Sequence, residues 1–569
     1  MTHWDRKVDF LVVGSGAAGM TAALRADDLC GETLVIEKAP VYGGSTALSG
    51  GVVWVPNNPG MKEHGVSDSP EEALTYLEAV TQGSSSTERL RAYVATAPRM
   101  MAALAERSHV SFTCLNTYPD YYPEVEGGKP GARSCEPVGF DALRLGEEFT
   151  RMRFPPAEKL VMGGRVMFGV DEGHRLLTGG VSTAWFMIRG LFSYYTNFQA
   201  RRRGLVNTDL RLGPALVGRL RLSLMDRRVP LWLNTTIKEI LSENGRVVGA
   251  LVEKEGRLLR IQASKGMLLA AGGFERNAEM RNRYQQEPTS DKWTVGCESN
   301  TGSTVSLGLA VGASLDLMGD AWWCPCTLAP FPGASPAWIM IFEKNLPGSI
   351  IVNKNGRRFM NEAAPYNDVV KSMYKANKAD APTIPATFVF DSTYRWKYPC
   401  GPMPPRYAAP DGLLREDLKK NYFRKDRSLE GLAQKIGVDV EGLVDTVRRF
   451  NQYAATGKDP EFGRGDSLQD RYYTAKAKSP NPTLGPIERP PFYAVQVFPG
   501  DLGTKGGFRT DAHGRVLTDA GEPIPGLYAA GNCSASVMGT AYPGAGATIG
   551  PAMTFGFVSA EHALGAGAT

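Results

Sequence analysis

The sequence predicts an α/β protein whose two ends fold together around an inserted α+β domain. Two glycine clusters and a change of composition between them carry that expectation. The first cluster, Gly14-Ser15-Gly16-Ala17-Ala18-Gly19, follows the apolar run Phe10-Leu11-Val12-Val13. The second, Gly526-Leu527-Tyr528-Ala529-Ala530-Gly531-Asn532, lies more than five hundred residues away and precedes Tyr542-Pro543-Gly544-Ala545-Gly546. Past Asp320 the composition changes: prolines gather at Pro399–Pro410 and Pro480–Pro491, and helical patterns run near Leu429–Tyr453. The pattern is that of a Rossmann-like nucleotide-binding domain split in sequence, over residues 1–319 and 501–569. Residues 320–500 form the inserted catalytic domain that caps the substrate.

The elements follow in order. Phe10 to Val13 reads as a short buried strand, and Met20-Thr21-Ala22-Ala23-Leu24 begins a helix. In a strand–glycine–helix turn Gly14 permits the tight bend, Gly16 lets the backbone approach a pyrophosphate, and Gly19 lets helix pack on strand. Phosphates then sit against the helix N-terminus, where free N–H groups point outward around Ser15, Ala17 and Ala18. A second strand, Thr33-Leu34-Val35-Ile36, ends in Glu37, eighteen residues beyond Gly19, where a carboxylate can bind ribose hydroxyls, with Lys38 beside it. Gly43-Gly44-Ser45-Thr46 and Ser49-Gly50-Gly51 follow at once, and their backbone can approach the rest of a long dinucleotide. No second strand-anchored G-x-G-x-x-G is present, which favours FAD over a nicotinamide site.

Further along, Leu231-Trp232-Leu233 and Val247–Val252 alternate as strands around the turn Glu243-Asn244-Gly245-Arg246. Ala271 and Gly272 close the strand Met267-Leu268-Leu269 and are further cofactor candidates, as are Gly531 and Asn532 at the end of the last strand. The final helix, about Ile549 to Leu564, starts just after Gly546 and Ala547, and its N-terminus can stabilise negative charge on a reduced flavin. None of the six histidines lies in the glycine motifs, so FAD is expected to bind without a covalent link.

At 569 residues the chain exceeds one ordinary domain. A hydrophobic content of 43% and a charged content of 22% exclude disordered and fibrous classes. The eight cysteines are scattered, and Cys324-Pro325-Cys326 has the wrong spacing for a zinc knuckle, so no metal is expected. They read as reduced thiols of a cytoplasmic protein. The first apolar run is already the nucleotide-binding strand, so no signal peptide is expected, and no uncharged run reaches the length of a membrane span.

Charge is uneven. From Arg175 to Arg228 ten arginines face two acids, Asp209 and Asp226, a local net charge of +8 in a chain of +5. Trp185, Ile188, Phe192 and Tyr195 step by three, four and three residues and make one helical stripe, followed by Phe198 and Arg201-Arg202-Arg203. Such a segment suits the headgroup region of an anionic membrane on its cytoplasmic face. A buried helix or a subunit contact would carry the same pattern. No nucleic-acid motif accompanies the arginines, so nucleic acid is not expected as a partner.

Four separated motifs complete the reading: Pro119-Asp120-Tyr121-Tyr122, Asn361-Glu362-Ala363-Ala364-Pro365-Tyr366, Asp501-Leu502-Gly503-Thr504-Lys505-Gly506-Gly507 and Tyr542-Pro543-Gly544-Ala545-Gly546. In this order they resemble the 3-ketosteroid Δ1-dehydrogenases, of the flavoprotein superfamily that includes fumarate reductase and succinate dehydrogenase. The resemblance covers nearly the whole chain, apart from an insertion at about 171–212. It implies an enzyme that uses FAD to introduce a double bond between carbons 1 and 2 of ring A. Its partners would be a 3-ketosteroid substrate and a quinone or other electron acceptor. By the resemblance, Tyr366 is the base that removes a proton from carbon 2, and Tyr121 sits against it to help it lose or relay the proton. Tyr542 and the backbone N–H of Gly546 hold the 3-keto oxygen, and hydride leaves carbon 1 for FAD. Ala545 and Ala547 stand where relatives can carry Pro or other small residues.

The chemistry asks for these residue types. A carbon-bound proton becomes removable when charge on the adjacent carbonyl oxygen is stabilised, by about a few kcal/mol per donor. A free tyrosine ionises near a pKa of about 10, and a second tyrosine donating a hydrogen bond favours the ionised form. Three alternatives stand beside this reading. A 3-ketosteroid Δ4-(5α)-dehydrogenase uses the same parts with the base aimed at other carbons. A fumarate-reductase-like enzyme needs cations to clamp a dicarboxylate, where these motifs offer tyrosines. A flavin-loaded membrane scaffold would turn nothing over.

Overall fold

The computed structural model describes residues 3–177, 181–198, 201, 207–330, 335–474 and 479–565; Arg202 and Arg203 lie outside the described residues. Strand β1 (Arg6–Val13) leads through the glycine turn into helix α1 (Ala17–Asp28), which starts three residues earlier than the apolar pattern suggests, so Ala17, Ala18 and Gly19 form its first turn. Strand β2 (Thr33–Ile36) follows. The basic stretch supplies helices α2 (Val170–Leu177) and α3 (Val181–Thr196), and α4 (Leu212–Asp226) packs against α1. Strands β3 (Leu231–Trp232), β4 (Thr235–Glu243), β5 (Arg246–Lys254) and β6 (Arg257–Leu269) come next. Asn244 and Gly245 both hold positive φ (50° and 77°) between β4 and β5, which is the tight hairpin turn their sequence announces.

The chain then leaves this sheet. Strands Ser349–Val352, Ala386–Phe390, Phe492–Val497 and Phe423–Asp426 build a separate antiparallel sheet in that order. Helix α5 (Tyr366–Ala376) packs on it, with Val369 and Met373 in its core. The outward and return connections run side by side, Ala321–Trp323 antiparallel to Asp501–Thr504. After the return, β7 (Arg515–Leu517) and β8 (Pro523–Ala529) rejoin the first sheet, and α6 (Ile549–Ala563) closes the chain against α1.

The first sheet has the order β7–β8–β6–β1–β2–β3, with the β4–β5 hairpin attached to β6. β8, β6, β1, β2 and β3 are mutually parallel. A strand from residue 523 onward therefore completes a sheet begun at residue 6. The fold is a split Rossmann-like domain with an α+β insertion. The carboxyl-terminal halves of its central strands are apolar and buried, Phe10–Val13, Leu34–Ile36 and Met267–Leu269, as a sheet covered on both faces requires.

The basic stretch is only partly free charge. Arg211 pairs with Asp209, Arg221 with Glu148, and Arg227 with Asp27 and Asp28. Arg219 donates to the carbonyls of His109, Val138 and Gly139. The aromatic stripe of α3 faces out: Trp185 and Phe192 are 68% and 69% exposed, and Ile188, Tyr195 and Phe198 are exposed with them. A buried-helix reading of the stripe is thereby excluded.

Candidate active site

The carboxyl ends of β1, β2, β6 and β8 lie side by side, and each runs into one of the segments singled out above. Gly14 follows Val13, Glu37 follows Ile36, Ala270–Gly272 follow Leu269, and Ala530–Gly531 follow Ala529. Ligands of open parallel sheets bind at this end. Gly14 has φ +114°, and a Cβ there would stand 2.3 Å from the Ala270 carbonyl oxygen; one on Gly19 would stand 2.0 Å from that of Gly14. Gly16 differs: a Cβ would meet Thr46 Oγ1 at 3.6 Å, so its surroundings are open. It is also the N-cap of α1 and has no side chain to satisfy the first turn, which suits a phosphate. Open backbone beside a helix start whose N-cap residue has no side chain, ringed by strand ends, fits a dinucleotide such as FAD.

Around that groove the candidates hold one another. Glu37 accepts from the Ser15 N–H at 3.1 Å, the Ser15 hydroxyl at 2.7 Å and the Ala39 N–H at 2.9 Å, so the carboxylate ties the glycine turn to β2. Thr46 Oγ1 accepts from the Ala17 N–H at 3.1 Å. Ser45 Oγ accepts from the Cys297 N–H and from Asn300 Nδ2, which also donates to Glu275. Gly44 has φ +51°. Ser49 donates to the Thr46 carbonyl and accepts from the Gly51 N–H. A Cβ on Gly51 would lie 2.7 Å from the Gly213 nitrogen, so the Gly50–Gly51 bend makes room for α4. Lys38 reaches Thr301 Oγ1 at 3.0 Å, and burial lowers its pKa. Gly272 (φ +80°) abuts Asn300, while Asn532 accepts from Trp322 Nε1 at 3.2 Å. Ala547 donates to the Gly544 carbonyl, and Ile549 opens α6. Asn300, Glu275 and Trp322 escaped the sequence reading, because none stands in a glycine motif.

The tyrosines converge from three separate segments. Tyr121 Oη donates to Tyr366 Oη at 2.7 Å, with the rings edge-on at 5.3 Å. The Tyr542 ring centre lies 5.2 Å from that of Tyr366 and 5.3 Å from that of Tyr121, and Trp322 packs edge-on against Tyr542 at 4.8 Å. All three phenols are buried. Burial holds Tyr366 well above the ordinary phenol pKa, with Tyr542 and Tyr118 adding to it; the hydrogen bond from Tyr121 pulls the other way and is smaller. Burial pushes Tyr542 up to about 12, against the hydrogen bond it shares with Thr548. Gly546 has φ +94°, and a Cβ would sit 2.5 Å from the Val53 carbonyl carbon, so no other residue fits this bend.

Unanticipated residues set the tyrosines in place. Asp120 accepts from Trp54 Nε1 at 2.7 Å and pairs with the buried Arg133, which also grips Asp68. Burial raises the Asp120 pKa to about 6, and Arg133 opposes the shift. The Tyr121 N–H and the Tyr76 hydroxyl both bind the Pro543 carbonyl, and Ser134 binds that of Ala545. Tyr122 donates to Asp368 in the first turn of α5, which begins at Tyr366. Buried Lys344 donates to the carbonyls of Glu362 and Ala364, and Asn345 to that of Ala363, so three successive carbonyls ahead of Tyr366 are fixed. Asp120 was visible inside its motif; Lys344 and Asn345 carry no local signal.

The chain matches the model of the FAD binding domain family over residues 9–549. It is 41% identical to a 3-oxosteroid 1-dehydrogenase of Mycobacterium tuberculosis, over 98% of each chain. A crystal structure of 3-ketosteroid Δ1-dehydrogenase from Sterolibacterium denitrificans, in complex with 1,4-androstadiene-3,17-dione, superposes with a TM-score of 0.94 at 43% identity, covering 99% of this chain and all of that one. The 3-ketosteroid Δ4-(5α)-dehydrogenase of Rhodococcus jostii superposes with a TM-score of 0.66 at 20% identity, over 99% of this chain and 98% of that one, a likeness of fold.

Proposed function

Because the chain belongs to the FAD-binding flavoprotein family, and within it to the 3-oxosteroid 1-dehydrogenases, we propose that it oxidises 3-ketosteroids by introducing a double bond between carbons 1 and 2 of ring A. The observation that carries this reading is the Tyr121–Tyr366 hydrogen bond with Tyr542 packed against both rings. Bound FAD supplies a two-electron acceptor for the hydride of carbon 1. Residues 1–319 and 501–569 hold it, and residues 320–500 bring Tyr366 to the steroid. Tyr542 and the Gly546 N–H take the 3-keto oxygen and stabilise charge as the carbon 2 proton leaves. Tyr366 receives that proton. Burial that raises its pKa makes the phenolate a strong base once formed, and the donor Tyr121 offsets part of the cost. Neutral phenol and indole surfaces suit a neutral fused-ring ketone and give no clamp for a dicarboxylate.

The test is turnover. The purified yellow protein, given a 3-ketosteroid saturated at carbons 1 and 2 and an artificial electron acceptor, should yield the 1-ene. Product with a new 4,5 double bond would support the sister activity instead, and fumarate turnover the reductase.

A second proposal concerns location. The exposed aromatic stripe of α3, with exposed Arg189 and Arg201 beside it, supports docking on an anionic membrane surface. Among the described residues no helix is long and apolar enough to cross a membrane, so the segment would lie on the surface. Poorly soluble steroids partition there, as do quinones, one of the acceptor classes open to such an enzyme.

A further inference from the structure

A small three-stranded sheet under the Tyr542–Gly546 loop holds two thiols that the proposed reaction does not use. Its strands run in the order Val53–Trp54, Ser134–Pro137, Phe112–Cys114, and each pairing is antiparallel. Cys114 stands directly opposite Cys135, and their sulfurs are 3.4 Å apart. Leu115 donates its N–H to the Ser134 carbonyl and Val138 to that of Ser111. Ladder bonds alternate along an antiparallel pair, so the two cysteines face each other where there are none, with Cα atoms about 4.5 Å apart. That lies inside the range of about 4.4–6.8 Å that a disulfide spans. Both cysteines are free; Cys114 is half-buried and Cys135 is buried. The Cys114 thiol donates to Asn58 Oδ1 at 3.0 Å, which leaves Cys135 to donate between the two sulfurs. That hydrogen bond holds the Cys114 pKa below an ordinary thiol's, against burial and Glu63, and the same bond, with burial, holds Cys135 well above. Among the described residues no group of three or more His, Cys, Asp or Glu is placed to hold a metal, so the pair has no further metal ligand beside it.

We propose that Cys114 and Cys135 are a redox dithiol that hydrogen peroxide converts to a disulfide, and that closing this bond displaces the loop carrying Tyr542 and Gly546. Cys114, the more exposed thiol, meets the oxidant. Its thiolate attacks one peroxide oxygen: the O–O bond breaks, an S–O bond forms, and the departing hydroxide takes up the proton the thiol released. The Cys114 sulfenic acid then lies against Cys135. The Cys135 sulfur attacks the Cys114 sulfur, the S–S bond forms, the S–O bond breaks, and the leaving hydroxide takes the Cys135 proton. Two thiols and one peroxide give one disulfide and two waters; the sulfur pair loses two electrons and the peroxide gains them. A disulfide is about 2.05 Å long, so the sulfurs must close by more than an ångström from 3.4 Å. The pull falls on a strand that serves the active site. Ser134, next to Cys135, donates to the Ala545 carbonyl at 2.9 Å, and Arg133 pairs with Asp120 at 2.8 Å. Across its other edge Cys135 pairs with Val53, on which Gly546 is packed. The Ala545 carbonyl and the Gly546 N–H belong to one peptide unit, so Ser134 aims the N–H assigned to the 3-keto oxygen. This coupling rests on the proposed function; the dithiol itself does not.

The test uses the FAD-loaded protein, first reduced and then treated with hydrogen peroxide, beside its Cys114→Ser variant. After the remaining thiols are alkylated and the chain is cut with trypsin, mass spectrometry should find the Cys114 and Cys135 peptides joined, and dithiothreitol should release them. Separate peptides with both thiols alkylated, or Cys114 carried on to sulfinic acid beside an intact Cys135, would overturn the dithiol. Turnover of the parent should fall by about tenfold or more, within the scale on which an ångström of misplacement acts, and should return with dithiothreitol. The variant should keep its untreated turnover in peroxide. Joined peptides with unchanged turnover would overturn the coupling to the loop, as would an equal loss in the variant. A protein that forms the disulfide yet turns over no 3-ketosteroid when reduced would refute the proposed function and leave the dithiol standing.

Discussion

At the scale of single residues the question is which phenol does what. Tyr366→Phe leaves the ring packed against Tyr121 and Tyr542 and removes one oxygen. Turnover should fall by about a hundredfold or more, the contribution of a positioned base, while steroid binding survives. Activity within about tenfold of the parent would remove Tyr366 from that role. Tyr542→Phe should lose a comparable amount, about 2.7–4 kcal/mol for one oxyanion donor, but with weaker steroid binding as well, since the proposed role has its hydroxyl touch the ketone before and during reaction. The pH profile separates the two. A base must be ionised to act, and Tyr366 is held above the ordinary phenol range. Activity should therefore climb as pH rises through the alkaline range, until the fold gives way. A rate that is flat from neutral to alkaline pH would assign the proton to another group.

At the scale of elements, legibility tracked locality. The turn between β1 and α1 could be read because close approach fixes its glycines: Gly14 against Ala270 and Gly19 against Gly14 admit no Cβ. The β4–β5 turn could be read from Asn244-Gly245 because both residues hold positive φ. The arginines could not. Arg219, Arg221 and Arg227 count as surface charge along the chain, and their partners at 138–139, 148 and 27–28 come from other elements. Lys344 and Asn345 were equally silent, since the carbonyls they hold lie some eighteen to twenty residues away. The α3 stripe reads the other way: periodicity showed an apolar face, and the fold shows that this face is outside. Trp185→Ser with Phe192→Ser removes exposed rings and should leave FAD binding and turnover of a soluble substrate unchanged. The parent should sediment with vesicles containing anionic phospholipid at low salt, and the double variant should not. A parent that stays in the supernatant would make the stripe a contact between copies.

At the scale of the whole molecule, the two ends of the chain build one sheet and its middle brings Tyr366 against Tyr121 and Tyr542. β8 and α6, from the last fifty residues, pack against β6 and α1, and the Tyr542–Gly546 loop between them lies over Val53 and Trp54. The two glycine clusters announced the joined ends, and the resemblance of the four motifs brought the tyrosines together. The carboxylate and amide supports around Asp120, Ser134 and Lys344 needed the fold. FAD should be held by contacts alone: acid precipitation of the yellow protein should release the colour into the supernatant, and colour that stays in the pellet would mean a covalent link. The central claim is that ring A loses one hydrogen from carbon 1 and one from carbon 2. The most direct measurement is mass spectrometry of the product from a 3-ketosteroid carrying deuterium at both carbons. The expected product has a 1,2 double bond and has lost one label from each carbon. A product that keeps every label and is unsaturated elsewhere would contradict it.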